Sequence, residues 1–93
     1  MAKIEELKRG TQIIYVPMHA KGDLDHPDCE EGFVTSARQV GPFGRAWCRF
    51  WSKHDPSRLR TRSCSEGCNP DDLVIKDTRP QSAVDHWLGN ISG

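Results

Sequence analysis

The chain lacks a long hydrophobic run, a net charge and a recognisable targeting segment. Its 93 residues are 35% hydrophobic, acidic and basic residues balance, and residues 1–9 are charged throughout. We therefore expect a single small domain over residues 1–93, in the cytoplasm and without a membrane span. A domain of this size buries a limited core, so we expect marginal stability.

Catalytic motifs are missing as well. The sequence has no GxSxG elbow, no glycine-rich phosphate loop and no HExxH helix. None of its four histidines lies in a local motif that fixes a nucleophile beside a base. We therefore expect a binding protein and not an enzyme.

The zero net charge is an average over three unlike segments. Residues 38–62 carry seven basic residues against one acid, whereas residues 1–37 carry four bases and seven acids and residues 63–93 carry two bases and five acids. The middle segment therefore has a charge of +6 between two segments of −3 each. Such a directional field steers charged partners.

Within the basic segment, residue types alternate with the period of a β-strand. Over residues 45–53, arginine, tryptophan and lysine fall on one face, and small or apolar residues fall on the other. A second alternating run follows the turn at residues 54–57, so an antiparallel hairpin would place both basic sets on one surface. We predict a binding face made of Arg45, Trp47, Arg49, Trp51, Lys53, Arg58, Arg60 and Arg62. The alternative is a solvated arginine face over packing tryptophans.

Turn residues divide the chain into five predicted strands and one helix. Apolar alternations bounded by Gly, Pro or Asp predict strands at residues 11–16, 32–38, 45–53, 58–64 and 73–76. Val84, Trp87, Leu88 and Ile91 recur at helical spacing and predict an amphipathic helix at about 82–91. Its apolar stripe is expected to cover the domain itself, or a second copy in a weak homodimer.

The order of these segments resembles the SH3-like barrels, including Tudor and KOW modules. The resemblance covers residues 8–76 and consists of a first strand, a long loop, three strands linked by turns, a Pro-Asp-Asp-Leu turn and a brief last strand. It implies a small five-stranded antiparallel barrel, mainly β, that binds proteins or nucleic acids. The stretches at residues 10–17 and 26–34 are also similar to small bacteriophage and prophage proteins.

Four cysteines raise the question of a metal. A chain without secretory features favours thiols or a metal over disulfides. His26 and Cys29 form an H-x₂-C unit, and Cys64 and Cys68 form a C-x₃-C unit, so these four residues are candidate zinc ligands. Separate thiols are the favoured interpretation, and no cofactor is expected.

Two functions remain open. In one, the basic face binds an acidic protein surface, with the tryptophans as anchors inside a ring of arginines. In the other, the same face binds single-stranded or duplex nucleic acid through phosphate contacts and base stacking. Overall neutrality favours the protein partner, because dedicated nucleic-acid binders are usually basic as a whole.

Overall fold

Five antiparallel strands form one sheet, and a short helix follows them. A computed structural model describes residues 3–40, 42–55, 58–60 and 66–89. The elements are β1 (Gln12–Tyr15), β2 (Glu30–Val40), β3 (Phe43–Phe50), β4 (Glu66–Cys68), β5 (Leu73–Ile75) and α1 (Gln81–Leu88). The prediction of a mainly β fold with a short C-terminal helix is confirmed. No helix within these ranges is long and apolar enough to cross a bilayer.

The strands lie in the order β4-β3-β2-β1-β5. β1 therefore lies between β2 and β5, and the meander of β2, β3 and β4 extends the sheet on the other side. Within the described ranges no pairing joins β4 to β5, so the sheet is not closed into a barrel.

The strand bounds differ from the prediction mainly around β3. β3 ends at Phe50, and Trp51 forms an isolated bridge with Leu59. The chain then turns, because the Ser52 hydroxyl accepts hydrogen bonds from the two amides at positions 54 and 55. Of the predicted strand at 58–64, the structure describes residues 58–60, where Leu59 forms this single bridge, and residues 61–64 lie outside the described ranges. The next strand is β4 at Glu66–Cys68.

The hairpin of β2 and β3 fixes which side chains lie opposite one another. Arg38 pairs with Arg45 and Ser36 pairs with Trp47. A bulge at Thr35 shifts the register, and the Thr35 hydroxyl donates to the Trp47 carbonyl at 3.0 Å. β2 runs two residues beyond the predicted bounds of 32–38 at each end, and Arg38 lies within both ranges.

The main core lies between the inner face of the sheet and the segments that cross it. Its buried members are Leu7, Ile13, Val34, Ala46, Cys48, Phe50, Cys68 and Leu73. Gly32 permits the close approach of β2 and β3 beside this core, because a Cβ there would lie 2.2 Å from the Arg49 carbonyl oxygen. A residue with a side chain would force the two strands apart.

A 3₁₀ turn at Pro70–Asp72 connects β4 to β5, at the position of the predicted tight turn. The Asn69 side chain accepts a hydrogen bond from the Asp71 amide at 3.0 Å and caps the turn. The carbonyl of Asp72 accepts from the Val16 amide and ties the turn to the end of β1.

Candidate functional site

The alternation of β3 separates an inner face from an outer face, as the sequence predicted. Ala46, Cys48 and Phe50 have exposed fractions of 0%, 0% and 1% and belong to the main core. Arg45, Trp47 and Arg49 alternate with them on the outer face, and Trp51 continues this face beyond the end of the strand. A partner of β3 must therefore approach the sheet from this outer face.

Half of this outer face is covered. Trp51, at 4% exposure, packs with Phe33 and with Val84 of α1 in a second buried cluster, and the Phe33 and Trp51 ring centroids lie 5.6 Å apart. Arg49, also 4% exposed, pairs across the strands with Phe33. We call Phe33, Arg49 and Trp51 the covered half.

Polar contacts hold α1 over the covered half. The buried Gln12 side chain accepts from the amides of Thr78 and Arg79 and donates to the Arg79 carbonyl at 2.8 Å. Arg9 donates to the carbonyl of Leu88, the last residue of α1, at 3.2 Å, where a cation also complements the helix dipole. The helix therefore packs on its own domain, as its apolar stripe predicted.

Arg79 forms the edge of this cover. Its guanidinium carbon lies 4.4 Å from the Trp51 ring centroid, and one guanidinium nitrogen lies 3.8 Å from the Glu31 carboxylate. The Trp51 indole N–H is buried without a hydrogen-bond partner among the described residues. The arginine therefore shields the tryptophan from solvent, and Trp51 has a packing role.

The other half of the outer face is open. Arg38 and Arg45 are exposed and lie directly opposite each other, and Trp47 is half-buried beside them. The Arg38 guanidinium stacks on the Trp47 ring, 5.1 Å from its centroid. Gly67, the partner of Trp47 on β4, presents no side chain over the indole. We call Arg38, Arg45 and Trp47 the open half.

The open half has no direct ion pair among the described side chains. No described carboxylate lies within 4 Å of either Arg38 or Arg45, although like charges directly opposite each other on neighbouring strands destabilise a sheet. Arg45 also borders a pocket of about 520 Å³ whose lining includes the acidic residues Glu5 and Asp71. The open half therefore combines two positive charges, an aromatic surface and a neighbouring hollow.

The remaining predicted binding residues do not extend this patch. Lys53 is exposed and its ammonium donates to the Pro27 carbonyl. Arg58 forms an ion pair with Asp55, and Arg60 forms one with Glu30 at 2.9 Å. Arg62 lies outside the described residues.

The four zinc candidates do not form one cluster among the described residues. Cys68 is buried in the main core, whereas His26 and Cys29 lie on the loop between β1 and β2, and Cys64 falls outside the described residues. The ligating atoms that the structure brings within 4.8 Å of one another belong to His19, His26 and Asp28. This loop, residues 16–29, is hereafter the first loop.

Three side chains in or beside the first loop have shifted pKa values, through a hydrogen bond in one case and burial in the other two. The His19 Nε2 atom lies 2.6 Å from the Asp28 Oδ2 atom, at hydrogen-bond distance. This hydrogen bond lowers the pKa of Asp28. Burial raises the pKa of the Cys29 thiol, and so does the neighbouring Asp23 carboxylate. Burial also raises the pKa of Tyr15 at the start of the loop. The Cys29 thiol is therefore less readily ionised than an ordinary thiol.

Sequence reasoning left Arg38 out of the predicted binding face and gave His19 only as a possible substitute zinc ligand. Arg38 belongs to the basic segment, but its pairing with Arg45 follows from the register of the hairpin between β2 and β3. His19 precedes His26 by seven residues, and only the folded loop brings their rings to 5.3 Å. Comparison with protein-family models, with curated proteins and with solved structures gave no match.

Proposed function

We propose that the protein is a noncatalytic binding module whose open half docks an acidic segment of a partner protein. The carrying observation is the pairing of Arg38 with Arg45 across β2 and β3, without a described carboxylate in contact. The paired positions place two like charges on neighbouring strands, so an acidic ligand that contacts both arginines relieves part of their repulsion on binding.

Trp47 supplies the apolar part of the same surface. It is half-buried and held by Arg38 on one side, so little conformational entropy is lost when a partner covers it. Tryptophan and arginine are the residue types most enriched at the energetic centres of protein interfaces.

A protein partner is favoured over nucleic acid by the size of the patch. Arg49 is buried, and Arg58 and Arg60 each contact a carboxylate, so the long basic strip expected from the sequence is reduced to its open half. Two arginines neutralise few phosphates, and the net charge of the chain is zero. Nucleic-acid binding through the same residues is the alternative outcome of the test.

The fold proposal keeps the SH3-like barrel. The strand order β4-β3-β2-β1-β5 and the 3₁₀ turn between β4 and β5 support it, although the described pairs leave the sheet open. Cys29, Cys48 and Cys68 are present as thiols and not as disulfides, which supports a reducing compartment such as the cytoplasm. The resemblance to phage proteins fits a small module that acts on a host protein.

The test uses two probes of matched charge, a glutamate-rich peptide and a single-stranded oligothymidine, at about 0.15 M salt. We expect the peptide to bind, and Arg45→Glu or Arg38→Glu to weaken binding at least about tenfold, because each reversal places like charges against the ligand. Arg58→Glu is the matched control, since it changes the net charge equally at an exposed position away from the patch.

Equal losses in Arg58→Glu and Arg45→Glu would show non-specific charge attraction and reject the open half. Binding of oligothymidine without binding of the peptide would favour the nucleic-acid alternative. Retention of full peptide affinity in both arginine variants would remove the site altogether.

A further inference from the structure

Two imidazoles and one carboxylate converge on the surface of the first loop. The ligating atoms of His19, His26 and Asp28 lie within 4.8 Å of one another. The His19 and Asp28 side chains are 62% and 59% exposed, so an ion can reach them from solvent. This donor set shares only His26 with the four candidate ligands considered from the sequence.

The first loop is folded by its own backbone. Consecutive turns close it, with amide-to-carbonyl hydrogen bonds three residues apart from Ala20 to Cys29. Lys21 and Gly22 adopt left-handed conformations, at φ of 51° and 82°, which reverse the chain between the two histidines. The loop is also tied to the end of β3, where the Lys53 ammonium donates to the Pro27 carbonyl. The three donors are therefore held together before any ion arrives.

We propose that His19, His26 and Asp28 form a binding site for a divalent transition metal of the zinc class, with water completing the coordination. Imidazole nitrogen suits zinc and its neighbours in the periodic table, whereas hard cations such as Ca²⁺ prefer a set of oxygen ligands. Three protein ligands with an open position are a common arrangement for zinc. This site is separate from the open half and does not rest on the proposed function.

Zinc binding requires a small opening of the present geometry. With metal bonds of about 2.0–2.1 Å in a tetrahedron, neighbouring ligand atoms lie about 3.3 Å apart. The His19 Nε2 and Asp28 Oδ2 atoms are now 2.6 Å apart, so they separate by roughly 0.7 Å when an ion enters between them. Both side chains are largely exposed, and an exposed contact of this kind contributes little to stability, so the separation meets little resistance.

A hydrogen bond accepted by His26 provides a specific reporter of zinc binding. Its Nδ1 atom accepts a hydrogen bond from the backbone amide of Asp28 at 3.0 Å. Binding through Nδ1 occupies the accepting lone pair, and binding through Nε2 requires the ring proton to sit on Nδ1. Either mode breaks this hydrogen bond, so the Asp28 amide must change its environment when zinc binds.

Cys29 is the main competing ligand in the same loop. Its thiol donates to the Asp23 carbonyl at 3.2 Å. The thiol is therefore occupied inside the loop, and coordination would require both loss of this bond and deprotonation. Its sulfur is also not a member of the group of ligating atoms that lie within 4.8 Å of one another.

The experiment titrates untagged, chelator-treated protein with ZnCl₂ near neutral pH, by calorimetry and by amide NMR. We expect one ion per chain and a shift of the Asp28 amide among the largest observed. His19→Ala, His26→Ala and Asp28→Asn should each weaken zinc binding at least about tenfold, since loss of even an outer-shell partner costs about 10- to 100-fold.

His54→Ala and His86→Ala are the matched controls, because both histidines are exposed and lie outside the cluster. Cys29→Ser tests the thiol, and titration with Co²⁺ reports thiolate ligands directly through their charge-transfer absorption. The proposal fails if Cys29→Ser abolishes binding while His19→Ala does not, or if the control histidines weaken binding as much as the cluster. It also fails if the wild-type protein shows no saturable binding at millimolar zinc.

Discussion

The two tryptophans of the outer face, four residues apart, have opposite environments. Trp51 is covered by α1 and by Arg79, whereas Trp47 lies half-buried beside two exposed arginines. Strand alternation places both on the same side of the sheet. What separates them is a segment much further along the chain, at residues 79–88, so alternation assigns a face and tertiary packing decides whether that face is available.

The largest expected effect concerns the covered half. Trp51→Ala should lower the free energy of unfolding by about 3–5 kcal/mol, because it leaves a cavity between Phe33 and Val84. Trp47→Ala should cost about 1 kcal/mol or less, since its ring is already partly solvated. Urea unfolding of both variants measures the difference, and equal losses would contradict the division of the outer face into two halves.

The next effect concerns the attachment of α1. Gln12→Ala removes the partners of the Thr78 and Arg79 amides and of the Arg79 carbonyl, and each unpaired buried group costs about 1–3 kcal/mol. Because solvent reaches part of this region, we expect a total loss of about 2–3 kcal/mol. Gln39→Ala, at an exposed position on β2, is the control and should change stability by about 0.5 kcal/mol or less.

Amide hydrogen exchange distinguishes the cause of that loss. If Gln12 anchors α1, exchange should accelerate in residues 81–88 more than in β2 or β3. Uniform acceleration across the sheet would instead make Gln12 a general core residue and would weaken the link between this side chain and the cover over Trp51.

The local part of the fold was predictable, and the tertiary part was not. The alternation in β3, the capped turn after Asn69 and the apolar stripe of α1 are all encoded within a few residues, so sequence reasoning located them. The burial of Trp51 was not predictable, since it depends on how Gln12 and Arg9 anchor a distant helix. Helical periodicity indicated an apolar surface for α1 to cover without indicating which surface.

The candidate sites follow the same rule. The facing pair of Arg38 and Arg45 requires the register of a hairpin, and the cluster on the first loop requires a chain reversal at Lys21 and Gly22. The two histidines of this cluster, His19 and His26, are seven residues apart in the sequence, and this separation does not indicate that they are neighbours in space. Spacing gave His26, Cys29, Cys64 and Cys68 as zinc candidates, with separate thiols favoured, and Cys68 is buried in the core.

Replacing Trp47 should weaken peptide binding strongly and lower the stability of the fold only slightly. Trp47→Ala should reduce affinity for the glutamate-rich peptide by about 2 kcal/mol, or roughly 30-fold, if the indole is a central anchor. Trp47→Phe keeps an aromatic ring under Arg38 and should recover part of this loss. Unchanged affinity in Trp47→Ala would leave the open half as a purely electrostatic surface.

The smallest expected effect is an increase in stability. Arg45→Glu replaces a facing pair of like charges by a carboxylate opposite Arg38, and opposite-charge cross-strand pairs contribute about 0.2–1 kcal/mol. The variant should therefore be slightly more stable than the wild type while binding the acidic peptide more weakly. High salt should reduce this gain, since exposed charges are screened. If the variant is less stable than the wild type at low salt, Arg45 already has a favourable partner in the folded protein. Relief of repulsion between the two arginines would then contribute no free energy to ligand binding.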